Sequence, residues 1–369
     1  MKKEQLDIIK QFLSGYDGPP VKLMEVCGTH TAQIVRNGIP SMLSDRIRLI
    51  SGPGCPVCVT VTAYIDRLVE LAFKEDTIVY AFGDLLRVRG SRYSLSDAKA
   101  QGARVKMVYS PMEMIQAAQE DGSRTHVFAA VGFETTTPVY AVMLEEAIEK
   151  KLTNVRLLTS LKTMPEVIRW LCEEDLRTMR SLKEQGKTPG EEGGAYQPVT
   201  GFIAPGHVCA VTGSGIFEDL AKEYGLPFIV SGFSGEELLL TIYGLVKDQG
   251  KGIVRNFYPS VVTRDGNTDA EKAVDRFFAP CDAAWRGMGV IPGSGLVLRQ
   301  EFAAFDAGSE DLLEDRLSGG CRCADVLTGR ISPSQCPLFG KVCTPSDPHG
   351  ACMVSQEGSC FNSYNYRHH

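Results

Sequence analysis

The chain has no apolar run near the ~20 residues that a bilayer-spanning helix requires. It also has no basic run, and its net charge is −6. The first absence argues against a helical membrane protein, the second against a generic nucleic-acid binder. The opening residues, MKKEQLDIIKQFLSGYDG, carry an amphipathic helix pattern and lack the apolar stretch of a secretory signal. Several catalytic signatures are missing as well. No G-x-x-x-x-G-K-[ST], G-x-S-x-G or H-E-x-x-H occurs, so a P-loop enzyme, a serine hydrolase and a zincin have no residues to stand on. Gly213-x-Gly215 comes nearest to a dinucleotide fingerprint, but Glu218 stands where the third glycine belongs.

What the chain does have is cysteine. With 43% hydrophobic and 23% charged residues among 369, it reads as an ordinary globular protein with ample length for buried cores. Twelve cysteines without an export signal point to a reducing cytoplasm and to thiols used for metal or redox chemistry. Six of them, at 321, 323, 336, 343, 352 and 360, fall in one segment rich in Pro, Gly and Ser. Such a stretch cannot pack its own core and must be cross-linked. The spacing is Cys-x-Cys, then 12, 6, 8 and 7 intervening residues, without the two close CxxC pairs of a structural zinc site. A [4Fe–4S] cluster suits four ligands and two spare thiols best, with zinc or disulfides as alternatives. Spacing alone does not choose four of the six. The tail from Asn362 to His369 reads as disordered, with an incidental His pair.

The fold class expected is α/β. Short apolar runs alternate with helix-length stretches: KLMEVCG, IRLISGPG, TIVYAFGD and RVKMVYSP, then HVFAAVGFE, VRLLTSL, GFIAPG and FIVSGF. Four and four suggest two similar α/β domains with mainly parallel sheets, at 1–120 and 121–245, and a cysteine-rich third domain at 246–369. LISGPGCPVCVT (49–60) and FIAPGHVCAVTG (202–213) echo each other across the two halves. Residues 181–198 read as a mobile polar loop.

Every strong motif sits where a strand ends and a helix begins, the edge where open α/β sheets bind ligands. MEVCGTHT places Cys27, Thr29 and His30 there, a soft donor or nucleophile beside a second ligand or proton shuttle. In SGPGCPVCVT, Gly52, Pro53, Gly54 and Pro56 shape a tight turn carrying Cys55 and Cys58. A CxxC at the start of a helix is expected to have at least one thiol lowered toward thiolate, as in thioredoxin-type pairs. GFETTTP adds Glu134, and APGHVC adds His207 and Cys209. Cys172 and Cys281 have no motif around them.

Together these motifs resemble the HypD family of hydrogenase maturation factors, from about residue 24 to residue 360. The tail runs CPLFGKVCTP and ACMVSQEGSC belong to the same ordered set. The resemblance implies two α/β domains facing a cleft and a third domain with a [4Fe–4S] cluster on Cys321, Cys336, Cys343 and Cys360. It leaves Cys323 and Cys352 as a dithiol/disulfide pair, similar to ferredoxin:thioredoxin reductase. It further implies a complex with the small chaperone HypC that holds a transient Fe(CN)2CO iron, with HypE, loaded by HypF, delivering cyanide. Cys27 is the expected iron thiolate, because low-spin cyano-iron prefers soft donors. Cys55 and Cys58 would relay electrons or thiol exchange to it. Two function classes follow: an assembly scaffold with redox activity, favoured over a conventional turnover enzyme, and a cluster-dependent thiol–disulfide oxidoreductase. The scaffold needs Cys27; the reductase needs only the CxxC and the tail.

Overall fold

Parallel strands covered on both faces read as continuous apolar runs, and that is how this chain builds its sheets. A computed structural model describes residues 3–187, 196–316 and 319–367. The first sheet contains β1 (Val21–Glu25), β2 (Ile47–Ser51), β7 (Gly201–Pro205), β8 (Phe228–Ser231) and β9 (Val254–Asn256). Its order is β2-β1-β7-β8-β9 with every pair parallel. The second contains β3 (Thr77–Ala81), β4 (Val105–Met107), β5 (Thr125–Gly132), β6 (Val155–Lys162), β10 (Phe278–Trp285) and β11 (Gly289–Leu298). Its order is β10-β11-β6-β5-β3-β4, parallel except for the β10–β11 hairpin and its pairing with β6.

The eight expected runs are all strands, but they sort differently from the four-and-four reading. KLME and IRLIS join GFIAP and FIVS in one sheet, and TIVYA and VKM join HVFAAVG and VRLLTSL in the other. The chain therefore passes between the sheets more than once, and divisions at 120 and 245 do not follow sheet membership. The reason is physical: all eight runs have the same composition, and strand partners are chosen by tertiary packing that local pattern does not encode. The two echoing loops, after β2 and after β7, consequently lie on one sheet.

Alternation along each strand fills both faces. In the first sheet Leu23, Ile203 and Ile229 pack on one side, and Met24, Phe202 and Phe228 on the other. In the second, Val79, Ala129 and Leu158 face away from Tyr80, Phe128 and Leu157. The tail cysteines do not form a separate bead. Val326, Leu327 and Met353 share a buried cluster with Met24, Phe202 and Trp285. Of the tail read as disordered, Asn362 to Arg367 belong to a helix over Ser359–Arg367, and the His pair at 368–369 lies outside the described residues. Asn362 Nδ2 fastens the start of this helix to the carbonyls of Gln356 (2.8 Å) and Gly358 (3.0 Å), and Tyr364 packs edge-on to Phe339 from the preceding chain. Of the supposed mobile loop, the helix Met164–Glu184 takes the first part, and 188–195 lie outside the described residues. Among the described residues no helix is long and apolar enough to cross a membrane.

Each sheet has one topological switch point, the crevice favoured for ligands. In the first it lies between β1 and β7, in the second between β3 and β5. The loops leaving these four strands carry Cys27, His207, Asp84 and Glu134.

Candidate functional site

The strand β1 ends at Glu25, and α1 (Gly28–Arg36) starts with Cys27 as its N-cap residue. Glu25 is buried, and its carboxylate holds the turn: Cys27 N–H donates to Oε2 at 2.9 Å, and Thr31 Oγ1 donates to Oε1. Glu25 escaped the sequence reading. The available signal was a carboxylate inside the apolar run VKLMEV, which must be neutralised or hydrogen-bonded to be buried. Burial pushes it up to about 7.

Cys27 Sγ faces the backbone N–H groups of His30 and Thr29, as a thiolate at a helix start should. Desolvation outweighs that help and, with Glu25 and Glu357 adding repulsion, pushes the thiol up to about 12. Burial thus favours the protonated thiol, and a bound cation would shift the balance toward thiolate. His30 is fully buried and is pushed down to about 4 by burial. Its Nε2 lies 3.0 Å from the Gly232 carbonyl. A carbonyl only accepts, which assigns the proton to Nε2 and leaves Nδ1 as a free lone pair. Nδ1 is buried without a partner, a ready acceptor or ligand. The Phe233 ring lies between two imidazoles, 4.8 Å from His30 and 4.0 Å from His207.

The SGPG turn after β2 is pressed onto this loop. Gly28 N–H donates to the Gly54 carbonyl at 3.0 Å, and a Cβ at Gly54 would stand 2.2 Å from Cys27 N. From the other side, Thr29 Oγ1 donates to Glu357 Oε1 at 3.0 Å, and Ser355 Oγ donates to Asp84 Oδ2 at 2.9 Å. The tail is thus fastened over the start of α1, which the sequence did not signal. Glu134 accepts from Met164 N–H through Oε1 (2.7 Å), while Oε2 is sealed from solvent without a partner. Burial pushes it up to about 7. Cys209 feels both Glu134 and Cys27, so these three face one region.

Cys55 and Cys58 depart from expectation. They lie in a turn ahead of α2 (Thr62–Phe73), not at its N-terminus, and burial pushes Cys58 upward rather than down. The turn is closed internally, Cys58 N–H donating to Cys55 O (3.1 Å) and approaching Cys55 Sγ (3.2 Å). The Cys58 thiol donates to the Ala351 carbonyl (3.9 Å) and lies within interaction range of the thiols of Cys55 and Cys352. Cys352 Sγ is 2.8 Å from Cys323 Sγ, and Cys323 in turn touches Cys321. Five sulfurs, from residues 55, 58, 352, 323 and 321, form one unbroken series.

Cys321, Cys323, Cys336, Cys343, Cys352 and Cys360 all line a single cavity. Burial raises the Cys360 thiol, and Cys323, Cys343, Cys321 and Cys336 raise it further, so these five thiols lie within electrostatic reach of one another. Gly350 keeps the cavity open, since a Cβ there would stand 2.8 Å from Cys321 Sγ. Among the described residues no three His, Cys, Asp or Glu side chains are set to hold a single metal ion. Six thiols around one space are more than enough donors for an iron–sulfur cluster, which takes four.

The family model described as "Hydrogenase formation hypA family", HypD, matches residues 2–367. The chain belongs to the HypD family. It is 40% identical over 353 residues to the hydrogenase maturation factor HypD of Azotobacter vinelandii, covering 94% of this chain and 89% of that protein. To the HypD of Escherichia coli strain K12 it is 38% identical over 357 residues, covering 94% and 90%. To that of Rhodobacter capsulatus it is 37% identical over 359 residues, covering 94% and 89%. A role in hydrogenase maturation, in [NiFe]-hydrogenase assembly, follows from this membership.

Proposed function

We propose that the chain is an assembly scaffold that receives one iron at Cys27 and keeps it while cyanide and carbon monoxide are added. The buried Glu25–Cys27–His30 constellation carries this reading, and the sulfur series connects the turn that props Cys27 with the cavity ringed by six cysteines. His30 Nδ1 offers a neutral second donor, and Glu134 a carboxyl that is half protonated near neutral pH. Iron binding at Cys27 would release the thiol proton, and low-spin iron would favour the resulting soft thiolate.

Cys321, Cys336, Cys343 and Cys360 would hold a [4Fe–4S] cluster, whose chemistry when bound is single-electron transfer. The chain's own thiols supply exchange. Cys58 attacks Cys352 of a Cys323–Cys352 disulfide and gives its thiol proton to the departing Cys323; a Cys58–Cys352 bond forms and Cys323 leaves as a thiol. Cys55 then attacks Cys58, its proton passing to the departing Cys352. Two electrons thereby pass from the Cys55/Cys58 dithiol to the tail pair, and the reverse sequence returns them. A reductase would need this relay but not the buried Glu25–Cys27–His30 constellation, which favours the scaffold. The partners consistent with the family are a HypC-type chaperone closing the cleft against water and HypE as cyanide donor, with HypF upstream.

Anaerobic co-purification with the HypC-type partner, followed by infrared spectroscopy, tests the scaffold. Cyanide and carbonyl bands on the complex are expected. A complex rich in iron but without either band speaks for the reductase.

A further inference from the structure

A cavity of about 340 Å³ lies between the β6–β11–β10 end of the second sheet and the chain at 309–313. That volume is in the range of small-molecule sites, ~300–1,000 Å³. None of the site residues named above lines it. Its distinguishing group is Lys162, the last residue of β6 and only 2% exposed. Lys162 pairs with Gly295, and Gly295 with Cys281, so the three share one row across three strands. The central position has no side chain, and Cys281 Sγ lies 3.1 Å from where its Cβ would stand. The glycine opens the floor between the amine and the thiol.

Lys162 Nζ donates to Ser160 Oγ at 2.9 Å and stands 5.7 Å from the centre of the Trp285 ring. An ammonium has three donors, and a buried one without an anionic partner is costly. Burial accordingly pushes it down to about 8, against weaker support from Cys281 and Asp315. The walls are apolar, with Val61, Leu296 and Leu312, whereas the exposed acids Asp282, Glu310 and Asp311 line the rim. A simple anion is repelled at that rim, and a simple amine at the floor. A molecule carrying both charges at opposite ends satisfies the two together.

We propose that this cavity binds a small zwitterion of the ω-amino-carboxylate class, its carboxylate on Lys162 Nζ, its methylenes against the apolar walls and its ammonium at the acidic rim. The site is independent of the cyano-iron reading and stands or falls separately from it. The test is calorimetric titration of the anaerobically purified full chain with 5-aminopentanoate, pentanoate and pentylamine. Saturable binding of 5-aminopentanoate is expected, at least tenfold tighter than either analogue, and a tenfold or greater loss in Lys162→Met. In the wild-type chain the same probe should slow alkylation of Cys281, resolved by peptide mass spectrometry, so that the result does not depend on the variant's folding. Equal affinity for pentanoate, unchanged binding by a folded Lys162→Met, unprotected Cys281, or no saturation by about 10 mM probe each overturns the proposal.

Discussion

Replacing Gly54 by alanine probes the contact on which the Cys27 loop depends. The added methyl would stand 2.2 Å from Cys27 N and 2.3 Å from Val26 C, both backbone atoms that no rotamer change can move aside. Ordinary contact starts near 3.4 Å, so the two loops must part by about 1.2 Å. They are pinned by Gly28 N–H on Gly54 O at 3.0 Å and by Gly52 N–H on Glu25 O at 2.7 Å. Overpacking costs about 1–3 kcal/mol, and leaving one buried hydrogen bond unmade about 1–3 kcal/mol more. A loss of roughly 2–6 kcal/mol follows if the two add. Urea unfolding measures it, and iron content with infrared spectroscopy measures the site. Gly54→Ala should be destabilised, lose the cyanide and carbonyl bands, and keep the visible absorption of the tail cluster. Wild-type stability with full-strength bands would refute the claim that this turn positions Cys27.

Further outcomes follow from the same geometry. Alanine at any of Cys321, Cys336, Cys343 or Cys360 should remove about four irons per chain and loosen the tail, read by iron assay and proteolysis; one tightly held zinc without iron in the wild type would contradict this. Glu134 is raised from 4.5 to about 7, so the folded chain binds its proton more tightly than the unfolded one. The stabilisation from this proton is fully present below about pH 4.5 and is lost as pH rises to about 7, up to roughly 3 kcal/mol. Glu134→Gln keeps an acceptor for Met164 N–H and should flatten that decline in pH-resolved unfolding. Glu357→Ala removes the acceptor for Thr29 Oγ1 and should speed proteolysis near the tail by several-fold; an unchanged rate would show that the tail is held elsewhere. Mild oxidation should link Cys323 to Cys352 in non-reducing peptide maps, and alanine at Cys58 should stop transfer to Cys55 without preventing that link.

Much of this was legible in the residues. The apolar runs mark all eight expected strands, and the loops after β1, β2, β5 and β7 hold the motif residues as their Gly and Pro punctuation implied. Strand partners were not legible, because VKLME and TIVYA are interchangeable by pattern and differ only in what packs on them. The CxxC turn was misread for a related reason: helix α2 begins four residues after Cys58, and burial overrides any gain from its N-terminus. Glu25, Glu357 and Lys162 lay in plain view as charges, but what makes them matter is enclosure by segments far away in sequence. The helix at 359–367 likewise exists through Asn362 and Tyr364 contacts that a weakly periodic stretch does not announce.

The central claim is that the cargo iron is held by the Cys27 thiolate. Cys27→Ser exchanges a soft donor for a hydroxyl that stays protonated near neutral pH, with little change in volume. Serine keeps an acceptor for the His30 and Thr29 N–H groups that face that sulfur, and the tail cavity is lined by other residues. The decisive measurement is infrared spectroscopy, with an iron count, of Cys27→Ser purified anaerobically with the HypC-type partner. The cyanide and carbonyl bands should disappear while the cluster's absorption and about four irons remain. Retention of those bands at wild-type intensity would contradict that claim.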